Sequence, residues 1–194
     1  MTDDQRWLIA GLGNPGPRYA GNRHNIGFMV ADVLAARIGA RFKRDRATSQ
    51  AATGSLAGAA VVVVKPMSLM NASGGPVAAV ASFYKVPPDH VVVVHDELDL
   101  PYETIRLKQG GGDNGHNGLR SITAALRTRD YYRVRMGIGR PPGRQDPADF
   151  VLSDFAVAER RELPLLVERG ADAVEALLAR GLAAAQNEIH PAAG

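Results

Sequence analysis

The sequence has 194 residues, 45% of them hydrophobic and 22% charged, with a net charge of +3 and no cysteine. These proportions suit one folded domain, and the lack of cysteine excludes disulfides, iron–sulfur clusters, zinc ribbons and thiol catalysis together. No apolar run approaches the roughly 20 residues needed to cross a bilayer, and the opening Met1 to Arg6 is too short and acidic for a secretory signal, so a cytoplasmic protein with no membrane partner is expected.

Taken in chain order, Trp7-Leu8-Ile9-Ala10 reads as a strand covered on both faces, followed by the tight loop Gly11-Leu12-Gly13-Asn14-Pro15-Gly16. Residues 26–38 place Ile26, Val30, Val33, Leu34 and Ile38 on one helical stripe, with Gly39 as the stop. Short strands are expected near 43–57, then a buried strand over Ala60 to Val64 and a helix over 76–84 behind Ser73-Gly74-Gly75. Val91 to Val94 form a third buried strand, 104–108 a short one, and 119–127 a helix behind Gly118. From Arg133 to Gly139 arginines alternate with apolar residues, as in a half-exposed strand. Residues 140–147 read as a surface loop, 158–180 as a long helix and 187–194 as a loose tail. The pattern predicts a single-domain α/β three-layer sandwich spanning 1–194: a mixed, mostly parallel twisted sheet with helices on both faces.

The distinctive polar residues fall beyond the ends of the three buried strands: Asn14 after the first, Met70-Asn71 after the second, Asp96-Glu97 after the third. If those strands are parallel, the three loops share the crevice that forms at the carboxyl ends of an open α/β sheet. The first loop satisfies G-x-G-x-x-G, yet eight residues, Pro17 to His24, intervene before helical periodicity begins, and no acid follows a second strand at the ribose spacing, so no dinucleotide cofactor is expected. His24 stands at a helix start on the same side as Asn14, where a neutral imidazole can take a proton from water. Asp96 is the carboxylate to orient it. His95 competes, but adjacent strand residues face opposite ways, so the two cannot both face the crevice; only Asp96 continues the series Val92, Val94, and the alternation by itself does not say which face carries the site. The loop Gly110 to Gly118 reads as a mobile gate or amide cradle that brings His116 and Asn117 to a substrate, flanked by Arg106, Lys108 and Arg120 for phosphates. There is no G-x-S-x-G and no close-set ligand pair, so neither a serine elbow nor a metal is expected and water is the nucleophile.

Charge is uneven along the chain. Residues 18–46 carry seven Lys/Arg against two acids and 101–144 nine against three, whereas 145–194 carry four against nine. Local basic surfaces of this kind suit a phosphate-rich partner.

Five motifs now stand in order: Gly-Leu-Gly-Asn-Pro-Gly at 11–16, Arg-His-Asn-Ile-Gly at 23–27, Lys-Pro-Met-Ser-Leu-Met-Asn-Ala-Ser-Gly at 65–74, His-Asp-Glu-Leu-Asp-Leu-Pro at 95–101 and Gly-His-Asn-Gly-Leu-Arg at 115–120. In these the chain resembles bacterial peptidyl-tRNA hydrolases over nearly its whole length. The resemblance implies hydrolysis of the ester between a peptide, or an N-blocked amino acid, and the tRNA 3′ end, with no cofactor and no metal. It implies His24 as general base with Asp96 as partner, and Asn14, Met70, Asn71 and Asn117 as residues that position peptide, water or carbonyl. It further implies Tyr19, Asn25 and His116 as residues lining the crevice, and Lys108 and Arg135 as holding the 5′ phosphate and acceptor stem. A monomer is expected. The sequence departs from the family where Asp113-Asn114 replace small residues in the glycine-rich loop and where Leu69 replaces a common Phe or Tyr. The rival expectation is a non-catalytic RNA-binding or ribosome-associated protein on the same scaffold; a metabolic dehydrogenase or hydrolase is more distant.

Overall fold

Valine runs set the centre of the molecule: Val61 to Val64 and Val91 to Val94 are fully buried, because a strand covered on both faces needs no polar alternation. The structure, a computed structural model, describes residues 5–190. Its strands are β1 (Trp7–Gly11), β2 (Lys43–Asp45), β3 (Ser49–Leu56), β4 (Ala59–Pro66), β5 (Val91–Glu97), β6 (Ile105–Gln109) and β7 (Tyr132–Gly137). They form one 7-stranded sheet in the order β2-β3-β4-β1-β5-β7-β6. The centre is parallel, β1 pairing with β4 and β5, and β5 with β7. Both margins are antiparallel, β3 against β4 with β2 outside it, and β6 against β7. The mixed sheet, the parallel trio and the antiparallel short strands agree with the sequence.

The helices are α1 (Ile26–Arg37), α2 (Gly74–Phe83), α3 (Asn117–Leu126), α4 (Pro147–Val151), α5 (Val157–Arg180) and α6 (Leu182–Ile189). One face of the sheet, with Ile9, Val63, Val92, Val94 and Met136, packs on Val30 and Leu34 of α1 and Leu166 and Val174 of α5. The other face, with Leu8, Ala10, Val64 and Val93, packs on Val77 and Val80 of α2 and Leu119 and Ile122 of α3. That alternation by single residues is the strand period of two expressed as two cores. Gly39, at φ 66°, follows α1 in the left-handed conformation expected of its stop. Among the described residues no helix is long and apolar enough to cross a membrane.

Four expectations change. β5 continues through Asp96 to Glu97, so Asp96 lies inside the strand rather than after it. Arg133 is 1% exposed rather than half-exposed, because β7 is an interior strand and its guanidinium is met by the carbonyls of Gly111 (2.8 Å), Gly112 and Arg129 (3.5 Å). α4 begins at Pro147, the last residue assigned to a loop. The tail expected from 187 is helical to Ile189, held by Gln186 donating to Leu107 O (3.0 Å) and His190 Nε2 accepting from Leu107 N (2.7 Å). The rest of that tail, 191–194, lies outside the described residues.

Candidate active site

The loops after β1, β4 and β5 do converge, and with the start of α3 and with α4 they enclose a cavity of about 400 Å³. His24 reaches it from a 3-10 turn, Arg23–Asn25, at the head of α1. Both neighbours of His24 are pinned. The Arg23 guanidinium donates to Glu159 of α5 (2.8 Å) and lies 3.9 Å over the Phe150 ring. The Asn25 amide accepts from Asn14 N (2.9 Å) and donates to Asn14 O (2.9 Å). Anchored neighbours fix the backbone from which the His24 ring projects.

That ring meets Asp96: Nδ1 of His24 stands 2.8 Å from Oδ2 of Asp96. The other carboxylate oxygen, Oδ1, lies 2.8 Å from Nε2 of His116. Asp96 is 3% exposed. Burial works against its charge, but His24 and His116, each hydrogen-bonded to one of its oxygens, outweigh that and hold the carboxyl well below the ordinary range. For His24 burial likewise opposes the charged form, and the charge and hydrogen bond of Asp96 reverse it, so the ring is more basic than usual. His95 points from β5 to the opposite face, fully buried, its pKa pushed down to about 3 by burial first and by His116 next. The strand therefore delivers Asp96, not His95, to His24.

Asn14 is oriented by its neighbours. Its Oδ1 accepts from Met70 N at 2.7 Å, so what it can offer the cavity it lines is the Nδ2 donor. Asn71, in the 3-10 turn Met70–Ala72, and Asn117, the first residue of α3, stand exposed on the rim. Tyr19, Met70 and His116 also line the cavity. Asn25 does not; it is 2% exposed and braces Asn14 from behind. Lys108 and Arg135 lie outside the cavity on β6 and β7, where the registered pairs Arg106–Arg135 and Lys108–Arg133 gather cations at one edge of the sheet. Burial and the guanidiniums of Arg135 and Arg133 push the Lys108 amine down. Arg135 is held by Glu97 Oε1 through Nε (3.1 Å) and Nη2 (2.9 Å).

Sequence reasoning missed one wall. Pro147, Ala148, Val151 and Leu152 close the cavity with apolar surface opposite Leu69. The signal was present: Asp146 Oδ1 accepts from Ala148 N at 2.9 Å, an N-cap followed by proline at the first helical position. Asn114 also lines the cavity and donates to Glu97 Oε2 (2.8 Å) and to Asp99, while Asp113 accepts from Gly115 N (2.9 Å) and faces Arg120 at 3.5 Å. The acid of that loop is thus occupied within it.

The ligand atoms of His24, Asp96 and His116 lie within 4.8 Å of one another, the spacing of a metal-binding trio. A ligating histidine normally donates from its second nitrogen; His116 Nδ1 instead receives the amides of Gly118 (3.1 Å) and Leu119 (3.3 Å). The donor set fits shared protons better than an ion.

Residues 8–193 match the peptidyl-tRNA hydrolase family profile. The peptidyl-tRNA hydrolase of Frankia alni is 64% identical over 189 residues, covering 97% of this chain and 96% of its own. That of Streptomyces coelicolor is 62% identical over 187 residues, covering 93% of each. The crystal structure of the Acinetobacter baumannii peptidyl-tRNA hydrolase superposes with a TM-score of 0.89 at 36% identity, covering 97% of this chain and 96% of that one.

Proposed function

This chain belongs to the peptidyl-tRNA hydrolase family, an enzyme of translation that hydrolyses peptidyl-tRNA, and on that premise we propose that His24 is its general base and Asp96 the partner that orients it. The observation that carries the reading is the 2.8 Å contact between His24 Nδ1 and Asp96 Oδ2 at the cavity wall. With Nδ1–H donating to the carboxylate, Nε2 is left bare to take a proton from a water. The resulting hydroxide attacks the ester carbonyl joining the peptide to the 3′ ribose. Charge developing on the carbonyl oxygen is met by amide donors, Asn14 Nδ2, Asn71 and Asn117. Collapse of the tetrahedral intermediate breaks the ester bond, and the imidazolium returns its proton to the departing ribose oxygen. The products are a free peptide and a free tRNA.

The rest of the substrate is assigned by chemistry. Lys108 and Arg135 take the 5′ phosphate and acceptor stem, supported by the cation cluster on the β6–β7 edge. Leu69, Val151 and Leu152 offer apolar surface without a specific polar contact, which suits a peptide of any sequence. The enzyme acts in the cytoplasm as a monomer, without cofactor or metal. A non-catalytic RNA-binding role is disfavoured by the oriented His24–Asp96 pair, which RNA binding alone does not need. Single-turnover hydrolysis of a blocked, labelled aminoacyl-tRNA tests the reading: His24→Ala, folded and still binding tRNA, is expected to lose turnover, and a retained rate overturns it.

A further inference from the structure

His116 makes two sets of contacts that together fix which of its nitrogens carries the proton. Nδ1 lies 3.1 Å from Gly118 N and 3.3 Å from Leu119 N, both of them donors, so Nδ1 must offer a lone pair. Nε2, 2.8 Å from Asp96 Oδ1, therefore holds the hydrogen and donates it. A ring protonated on both nitrogens would aim an N–H at the N–H groups of α3. The ring is thus the N-cap of α3 and, at its other end, the second donor to Asp96.

Asp96 needs that second donor. A buried carboxylate with one oxygen on His24 and the other unpaired would carry the desolvation cost of an unmet acceptor, and it would be free to turn about its side-chain axis. The rings of His24 and His116 stand 5.0 Å apart with the carboxylate bridging them.

We propose that His116 is a positioning residue for hydrolysis rather than a substrate-binding one: fixed by the α3 amides as its neutral Nε2–H tautomer, it holds Asp96 so that Oδ2 stays on His24 Nδ1. This rests on the reading that His24 is the base. His116 also draws part of the carboxylate's charge to itself, which tempers the basicity of His24. Through the same ring, the orientation of Asp96 is tied to the helix whose first residue is Asn117. The other charged or titratable groups around the trio are His95, edge-on to His116 at 5.1 Å between ring centres, Arg133, which acts on His95 from β7, and Glu97, held by Arg135 and Asn114.

The test is His116→Asn, which keeps a capping acceptor for α3 but is too short to cap and reach Asp96 together. The expected result is a kcat lower by ~10- to 100-fold, the cost of one hydrogen bond to a charged group, with KM for blocked aminoacyl-tRNA little changed. The acid limb of the kcat profile should move to higher pH, because the Asp96 charge then falls on His24 alone. A raised KM with an unmoved limb would assign His116 to substrate binding and overturn the proposal. Wild-type kcat and limb in His116→Asn, with loss in His116→Ala, would make it only a helix cap and also overturn it. Independently of turnover, ¹⁵N shifts of the His116 ring in the wild-type protein should show a bare Nδ1 and a protonated Nε2; a protonated Nδ1 overturns the tautomer. If His24→Ala instead keeps its rate, the reading of the base fails while the ring-nitrogen result still stands on its own.

Discussion

Gly27 and Val94 lie so close that a methyl group on the first would stand 2.4 Å from the carbonyl oxygen of the second, and equally close to the amide of Leu12. This approach seats the head of α1 directly on the ends of β1 and β5. His24 is three residues before Gly27 and Asp96 two residues after Val94, so the packing of these two backbones sets the distance between the proposed base and its proposed partner.

Gly27→Ala should therefore damage both stability and rate. Overpacking against backbone costs about 1–3 kcal/mol, and a shift of the α1 head by roughly 1 Å is enough to lower turnover by ~100-fold. Thermal unfolding and single-turnover rate check this together; an alanine variant unchanged in both would remove Gly27 from the positioning of His24.

Much of this was legible beforehand. Continuous apolar runs named the three central strands, and the alternation Val92, Val94, Asp96 put Asp96 and His95 on opposite faces without saying which face carries the site, which only the contact with His24 decides. What escaped depends on partners far away in sequence. Arg133 alternates with apolar residues as an exposed arginine would, and only the carbonyls of Gly111, Gly112 and Arg129 explain its burial. Asn25 neighbours His24 in sequence, yet adjacency does not separate a residue that lines a cavity from one that braces a liner. α4, Pro147–Val151, is too short for helical periodicity; its apolar wall could be read only from the Asp146-Pro147 cap.

The pH dependence of activity should follow His24. Because Asp96 raises the ring, the acid limb of kcat/KM should lie above the ordinary imidazole value of about 6.5. Asp96→Asn removes the charge, so the limb should move to lower pH while the rate falls by ~10²–10⁴ through loss of charge and tautomer control. A limb that stays in place would disconnect Asp96 from the titrating group.

The pH dependence of stability should follow a different histidine. His95 is neutral when folded, with a pKa near 3, and titrates near 6.5 when unfolded. Its contribution is complete above about 6.5 and is lost as pH falls toward the folded value, by at most ~1.4 kcal/mol per unit. His190, lowered by burial and by Arg106 and Arg135, acts in the same direction. His24, raised, has the opposite sign, its contribution being present below about 6.5 and lost as pH rises through its folded value. The large His95 shift decides the balance, so the unfolding temperature should drop between roughly pH 7 and pH 4. His95→Gln should be less stable at neutral pH but show a shallower slope, and an equally steep slope would assign the effect elsewhere.

Binding of tRNA should weaken steeply with salt. Each phosphate contact contributes about 0.7–0.9 to the log–log slope, so Lys108→Ala should reduce it by roughly one contact's worth. Its effect on the affinity of different tRNAs should be uniform, because a phosphate contact carries no base identity. A wild-type slope would place the phosphate elsewhere than on the β6–β7 edge.

Asn14 allows its two roles to be separated. Its Oδ1 secures Met70 N at 2.7 Å, and its Nδ2 is the donor proposed to meet the carbonyl oxygen. Asn14→Asp keeps the acceptor for Met70, removes the donor and adds negative charge where negative charge develops in the transition state. Turnover should fall by at least ~10²–10³, the loss typical of one such donor, while the fold and KM change little. Asn14→Ala loses the Met70 anchor as well, so it should add a stability loss of about 1–3 kcal/mol for the stranded amide. If Asn14→Asp turns over at the wild-type rate, the oxyanion is met by Asn71 or Asn117 instead, and the same substitution at each of those positions identifies which.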